Sequence, residues 1–131
     1  MKPFSNSVSC VGMLETPVFK MLAPNDTGDS PGHQGGIVIP KDIEEFFPDI
    51  VGTTSAAHPT ADVVLTADLI VNSILVATVK TRYQYQTWGG TRSPERRLTS
   101  NLGPLRNVAT AGDIALFSRD IEQPQKIAVT C

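Results

Sequence analysis

The chain has 131 residues, 40% of them hydrophobic and 18% charged, with a formal net charge of -2. That length fits one domain able to bury its own core. Nowhere do ~20 consecutive apolar residues occur that would span a bilayer, and polar residues from Ser5 to Ser9 break up any signal-peptide core near the start. Two cysteines, Cys10 and Cys131, lie near opposite ends and make neither a CxxC metal pair nor a disulfide framework, so free thiols in a reducing, cytoplasmic compartment are expected.

The small net charge conceals an uneven placement. Residues 80 to 106 hold six basic side chains against Glu95 alone, a net +5, while the remaining residues carry five basic and twelve acidic ones, a net −7. Placement matters more than the total for a nucleic-acid partner.

In chain order, residues 1 to 14 are turn-rich, and Pro17 to Leu22 reads as a first strand carrying Lys20. Ala23 to Gly36 (APNDTGDSPGHQGG) is too polar and glycine-rich for a core element and forms a loop or arm. In it Asn25, Asp26, Thr27, His33 and Gln34 offer short hydrogen-bonding groups suited to base edges and phosphates. A metal loop using Asp26, Asp29 and His33 is the rival reading, but the spacing matches no EF-hand or zinc pattern.

Gly36 to Pro40 is a short buried strand stopped by proline, and Lys41 to Phe47 places Ile43, Phe46 and Phe47 at helical spacing before Pro48, which predicts a brief amphipathic helix. Thr53 to Thr60 is a loop. Asp62 to Val71 and Ser73 to Gln86 predict two antiparallel strands joined by a tight turn at Asn72-Ser73. On the second strand Thr81, Tyr83 and Tyr85 alternate with Arg82, Gln84 and Gln86, so one face packs and the other leads polar groups toward the basic segment beyond Thr87.

That segment, Trp88 to Thr99 (WGGTRSPERRLT), is a glycine-bearing arm with three arginines and one glutamate. An arginine fork binds guanine O6 and N7, and a carboxylate accepts from cytosine N4, so Arg92, Arg96 and Arg97 beside Glu95 suit a G·C-containing major groove. A solvated hairpin arm is the alternative on these residues alone. Asn101 to Ala111 is a loop, Gly112-Asp113 a turn, and Ile114 to Ser118 and Lys126 to Cys131 the last strands. The pattern predicts an all-β barrel or sandwich with little helix.

Two stretches, LAPNDTGDSPGHQGGIVIPKDIEEFFPDI (Leu22 to Ile50) and WGGTRSPERRLT followed by GDIALF, resemble the N-terminal effector-DNA-binding domain of EcoRII-type restriction endonucleases. The NDTG, GHQ, IP and FP elements occur in the same order. The resemblance implies a mainly β, seven-stranded DNA-binding pseudobarrel with one or two short helices, akin to plant B-three domains. In that fold two arms grip the major groove of a short near-palindrome of the 5′-CCWGG type. Carried over, the N-terminal arm includes Lys20, Asn25, Asp26, Thr27, His33 and Gln34, and the C-terminal arm Thr91, Arg92, Glu95, Arg96 and Arg97. Arg82, on the strand that aims the arm, and Trp88, at its start, complete the expected DNA-binding set. Pro94 is an extra residue relative to the family, and Gln86 replaces a basic one.

No catalytic or metal-ligating residues are expected. Pro48-Asp49 lacks the acid-x-Lys half of a nuclease motif, because Thr78 and Pro124 stand two residues before Lys80 and Lys126, and no Gly-x-Ser-x-Gly, P-loop or HExxH run occurs. The expectation is a domain that binds duplex DNA as a monomer, without cofactor, and does not cut. The resemblance implies a nuclease domain elsewhere in the protein, which alone would use Mg2+. The alternatives are a stand-alone B-three-like transcriptional regulator and an RNA- or oligosaccharide-binding barrel.

Overall fold

The computed structural model describes residues 16–27, 36–119, 123 and 125–131. Seven strands form one curled sheet in the order β1-β6-β7-β3-β4-β5-β2. They are β1 (Val18–Met21), β2 (Ile37–Val38), β3 (Thr60–Val71), β4 (Ile74–Gln86), β5 (Glu95–Leu98), β6 (Ile114–Arg119) and β7 (Lys126–Thr130). Only the β3–β7 pair is parallel.

The β3–β4 hairpin is the spine, and Asn72 and Ser73 turn it as expected, both at positive φ (51° and 67°). Positive φ at both central residues matches the right-handed twist of the flanking strands. Alternation then selects the core. Leu65, Ala67 and Leu69 of β3, Tyr83 and Tyr85 of β4, Leu98 of β5, Phe117 of β6 and Ile127 and Val129 of β7 all turn inward.

The segment expected to be an amphipathic helix is a 3-10 helix, Lys41–Phe46. Pro40 precedes it and Pro48 forces Phe47 into extended backbone (φ −96°, ψ 161°), leaving six residues, too few for a stable α-helix. Its apolar end still does what the spacing implied: Phe47 stacks on Tyr83 (4.8 Å between ring centroids) and meets Phe117 edge-on.

Two features depart from the sequence reading. A third of the arginine-rich arm is strand, since β5 (Glu95–Leu98) pairs with both β4 and β2. The loop after it holds a one-turn helix, α1 (Gly103–Arg106), started by Pro104 in its first turn and buried through Leu105.

The sheet nearly closes on itself because its two edge strands are clasped by a pair of charges. Lys20 of β1 donates to Val38 O of β2 at 2.6 Å and lies 2.6 Å from Asp26 Oδ2. Asp26 in turn accepts from the backbone N–H of Ala23 (2.8 Å) and of Val38 (2.9 Å). Beside the clasp, a Cβ on Gly36 (φ 94°) would fall 1.8 Å from Leu98 O, so only glycine permits β2 to approach β5 there. Among the described residues no helix is long and apolar enough to cross a membrane.

Candidate nucleic-acid interface

The β2–β5 pair sets the geometry of the site. The polar segment that precedes β2 re-enters the fold at Gly36, next to Leu98, whereas the β4–β5 connection re-enters at Glu95, beyond Arg96, whose carbonyl accepts from Ile39 N. The two polar segments therefore join the sheet at opposite ends of β5, separated by a rise of about 10 Å. A B-DNA major groove is about 12 Å wide.

The C-terminal arm is shaped by three consecutive residues at positive φ, Trp88 (57°), Gly89 (64°) and Gly90 (87°). Glycine bears that conformation freely, but Trp88 requires support. Gln86 Oε1 accepts from Trp88 N at 3.0 Å, while Gln86 Nε2 donates to Thr60 Oγ1, which ties the bend to β3. Thr91 closes the turn by donating its hydroxyl to Trp88 O at 2.8 Å.

Past the bend, Arg92 lies over the Trp88 ring, 4.2 Å from its centroid, and donates to Glu95 Oε1 at 3.0 Å. Arg97 holds Glu95 Oε2 through Nε and Nη2. Gln84, Gln86, Trp88, Glu95 and Arg97 line a cleft of about 160 Å³ on the outer face of the sheet. Arg82, on the same face of β4, is half exposed and loosely paired with Asp62 at 3.9 Å.

The other expected site residues divide by burial. Asn25, Thr91 and Arg92 are exposed. Lys20, Asp26 and Thr27 are turned into the fold: Asp26 and Thr27 are each 1% exposed, and Lys20 and Asp26 satisfy each other. Asp26 and Thr27, read from the sequence as groups presented to base edges, and Lys20, placed with them by the family resemblance, brace the segment that follows β1 in this structure. Arg96 is turned inward likewise, under β5, ion-paired with Glu44 and set 4.9 Å from the Tyr85 ring centroid. His33 and Gln34 lie outside the described residues.

Arg106 contributes to the positive charge of residues 80 to 106, yet it is not free: it donates to the carbonyls of Asn25, Asp26 and Thr27 at 3.0–3.1 Å. No local signal in the sequence marks a partner eighty residues away. Tyr83, beneath Arg96, has its pKa pushed up to about 12, first by burial and then by Glu44 and Asp49, with Arg96 opposing. Among the described residues no three His, Cys, Asp or Glu side chains gather to hold a metal ion.

The family described as "Restriction endonuclease EcoRII, N-terminal" matches residues 14–130. Among solved structures, the crystal structure of the UbaLAI restriction endonuclease B3 domain with cognate DNA superposes with a TM-score of 0.58 at 21% identity, over 99% of this chain and 77% of that one. At that identity the likeness speaks for the fold, the mainly β pseudobarrel. No curated protein matches the chain.

Proposed function

Because the chain belongs to the EcoRII N-terminal family of restriction endonuclease domains, we propose that it recognises a short near-palindromic site in double-stranded DNA, of the 5′-CCWGG type, through two arms in the major groove. The observation that carries this reading is the Arg92–Glu95–Arg97 cluster, held on a glycine bend at one end of β5 with the root of the second arm at the other. Arg92 offers a guanine-directed fork and Glu95 a cytosine-directed acceptor, with Arg97 beside them as a phosphate-directed cation.

Two dissimilar arms on one chain let a single domain cover both halves of the site, so one domain per duplex is expected, unlike helix-turn-helix dimers that place one copy on each half. In this reading the domain is the effector-binding part of a restriction endonuclease in a prokaryotic cytoplasm. It binds without metal, and cleavage and its Mg2+ belong to a nuclease domain elsewhere in the protein. The family match favours this over a free-standing transcriptional regulator.

The test is fluorescence anisotropy in EDTA with a labelled duplex carrying one 5′-CCWGG, challenged with scrambled duplex, RNA and oligosaccharide. Only the same duplex should compete at low excess, the complex should hold one domain by light scattering, and added magnesium should cut nothing. Equal competition by scrambled DNA, or two domains on one short site, contradicts the proposal.

A further inference from the structure

The cleft beneath Arg92 contains a chemical demand that the free domain does not meet. Two of its lining side chains carry buried donors with no acceptor, Trp88 Nε1 and Arg97 Nη1. A buried donor left unmade is costly, and two in one cleft call for an explanation.

Arg97 is fixed by the two bonds of Nε and Nη2 to Glu95, while the Trp88 main chain is tied to Gln86 and its ring is covered by Arg92. The lining as placed does not supply the acceptor: Gln86 Oε1 accepts from the Trp88 main chain, and each oxygen of Glu95 already accepts from an arginine. The Gln84 amide, across from Arg97 on β4, makes no bond among the described residues: its Oε1 meets neither orphan donor, and its Nε2 is a further donor. With Arg92 over the indole, two guanidinium groups face one carboxylate, which leaves the cleft positive.

We propose that this cleft seats a single phosphodiester of the DNA strand, whose non-bridging oxygens accept from Trp88 Nε1, Arg97 Nη1 and the Gln84 amide when Arg92 leaves the indole face for a base. The assignment rests on the DNA-binding reading above and adds a role to Trp88 that its ring alone does not have. Donors with no acceptor among them call for an acceptor-only ligand: a phosphodiester is that at every step of the strand, whereas among base edges only guanine presents two acceptors, the case that the 7-deazaguanine duplex separates. The indole N–H is a neutral donor with a fixed direction, so it places the strand without adding to salt-dependent attraction.

Trp88→Phe keeps an aromatic ring under Arg92 and deletes only the N–H. The probe is the duplex recovered by the parent from a randomised pool, with its phosphodiesters replaced one at a time by neutral methylphosphonates. At one position the parent should lose about tenfold or more in affinity, the scale of a hydrogen bond to a charged group, and the variant no more than about twofold. On unmodified duplex W88F should bind about tenfold more weakly with an unchanged slope of log affinity against log salt. Its urea midpoint should equal or exceed the parent's, because an orphan donor is gone.

Trp88 is the chain's single tryptophan, so a second readout needs no variant. The emission change of the parent on binding should disappear with that one methylphosphonate duplex and persist with the others. The proposal is overturned if every methylphosphonate costs parent and variant the same factor, if the emission change is indifferent to position, or if 7-deazaguanine takes the place of the methylphosphonate in the coupling. A parent that recovers no duplex overturns the DNA-binding reading as well.

Discussion

Arg97 gives both Nε and Nη2 to one oxygen of Glu95, at 3.0 and 2.7 Å, and leaves the other oxygen to Arg92 at 3.0 Å. The carboxylate is thus oriented before any ligand arrives, and its charge is balanced inside the arm. Arg92 is the more exposed partner, with a side chain 56% exposed against 13% for Arg97. DNA would therefore displace Arg92 from Glu95 and leave Arg97 in place.

Replacing Arg97 with Ala should weaken binding to site and scrambled DNA by similar factors. One phosphate contact fewer makes the slope of log affinity against log salt shallower by about one unit. A salt titration by anisotropy checks it; an unchanged slope removes Arg97 from the phosphate contacts.

Arg96 behaves differently, because its guanidinium lies between Glu44 and the Tyr85 ring. Losing one member of a buried pair strands the other. Arg96→Ala and Glu44→Ala should each cost about 3 kcal/mol of stability, toward the lower end for buried pairs because Glu44 keeps some exposure. The salt slope of either variant should match the parent's. Urea denaturation beside the salt titration separates this structural role from a DNA contact.

The clasp between the sheet edges makes Asp26 the most sensitive charge outside the C-terminal arm. Asp26→Ala leaves Lys20 without its partner and the N–H groups of Ala23 and Val38 without their acceptor. A loss of about 3–5 kcal/mol is expected by chemical denaturation. Asn at this position, able to accept but uncharged, should recover part of it.

Burial raises the Tyr83 pKa to about 12 from its ordinary value of 10.0. The native state therefore keeps a proton that the unfolded chain releases between these values. The stability contribution is fully present below pH 10 and is lost as pH rises through 12, amounting to about 2–3 kcal/mol. Denaturation midpoints should fall over that window and fall less in Tyr83→Phe, while absorbance at 295 nm follows the tyrosinate directly.

Local signals are most legible in the sequence where side-chain alternation and turn chemistry act together. The β3–β4 hairpin and its Asn72-Ser73 turn are plain from neighbouring residues, as is the arm that β4 aims. The strand inside that arm is not, because Glu-Arg-Arg-Leu alternates in burial only once β4 and β2 flank it, and nothing in an arginine's identity announces that it will pack against Tyr85 and Glu44. The burial of Lys20 and Asp26 is hidden for a related reason: each alone belongs in water, and only their pairing across the sheet edges permits it. Arg106, α1 and the parallel β3–β7 pairing depend on contacts between distant parts of the chain, which periodicity does not encode. The residues with polar groups at the arm surfaces, Asn25, Thr91 and Arg92, are within reach of sequence reasoning because their exposure answers to solvent and not to a distant partner.

Glu95 provides the most direct test of base reading by this arm. Removing a carboxylate beside DNA ordinarily strengthens binding by relieving repulsion. If Glu95 accepts from a cytosine and orients Arg92 and Arg97, Glu95→Ala should instead lose about 1–3 kcal/mol on the cognate duplex while scrambled DNA is bound equally or better. The ratio of the two affinities, measured side by side in EDTA, would then collapse toward one. A Glu95→Ala domain that binds its site as tightly as the parent, with the ratio intact, contradicts base reading by Glu95.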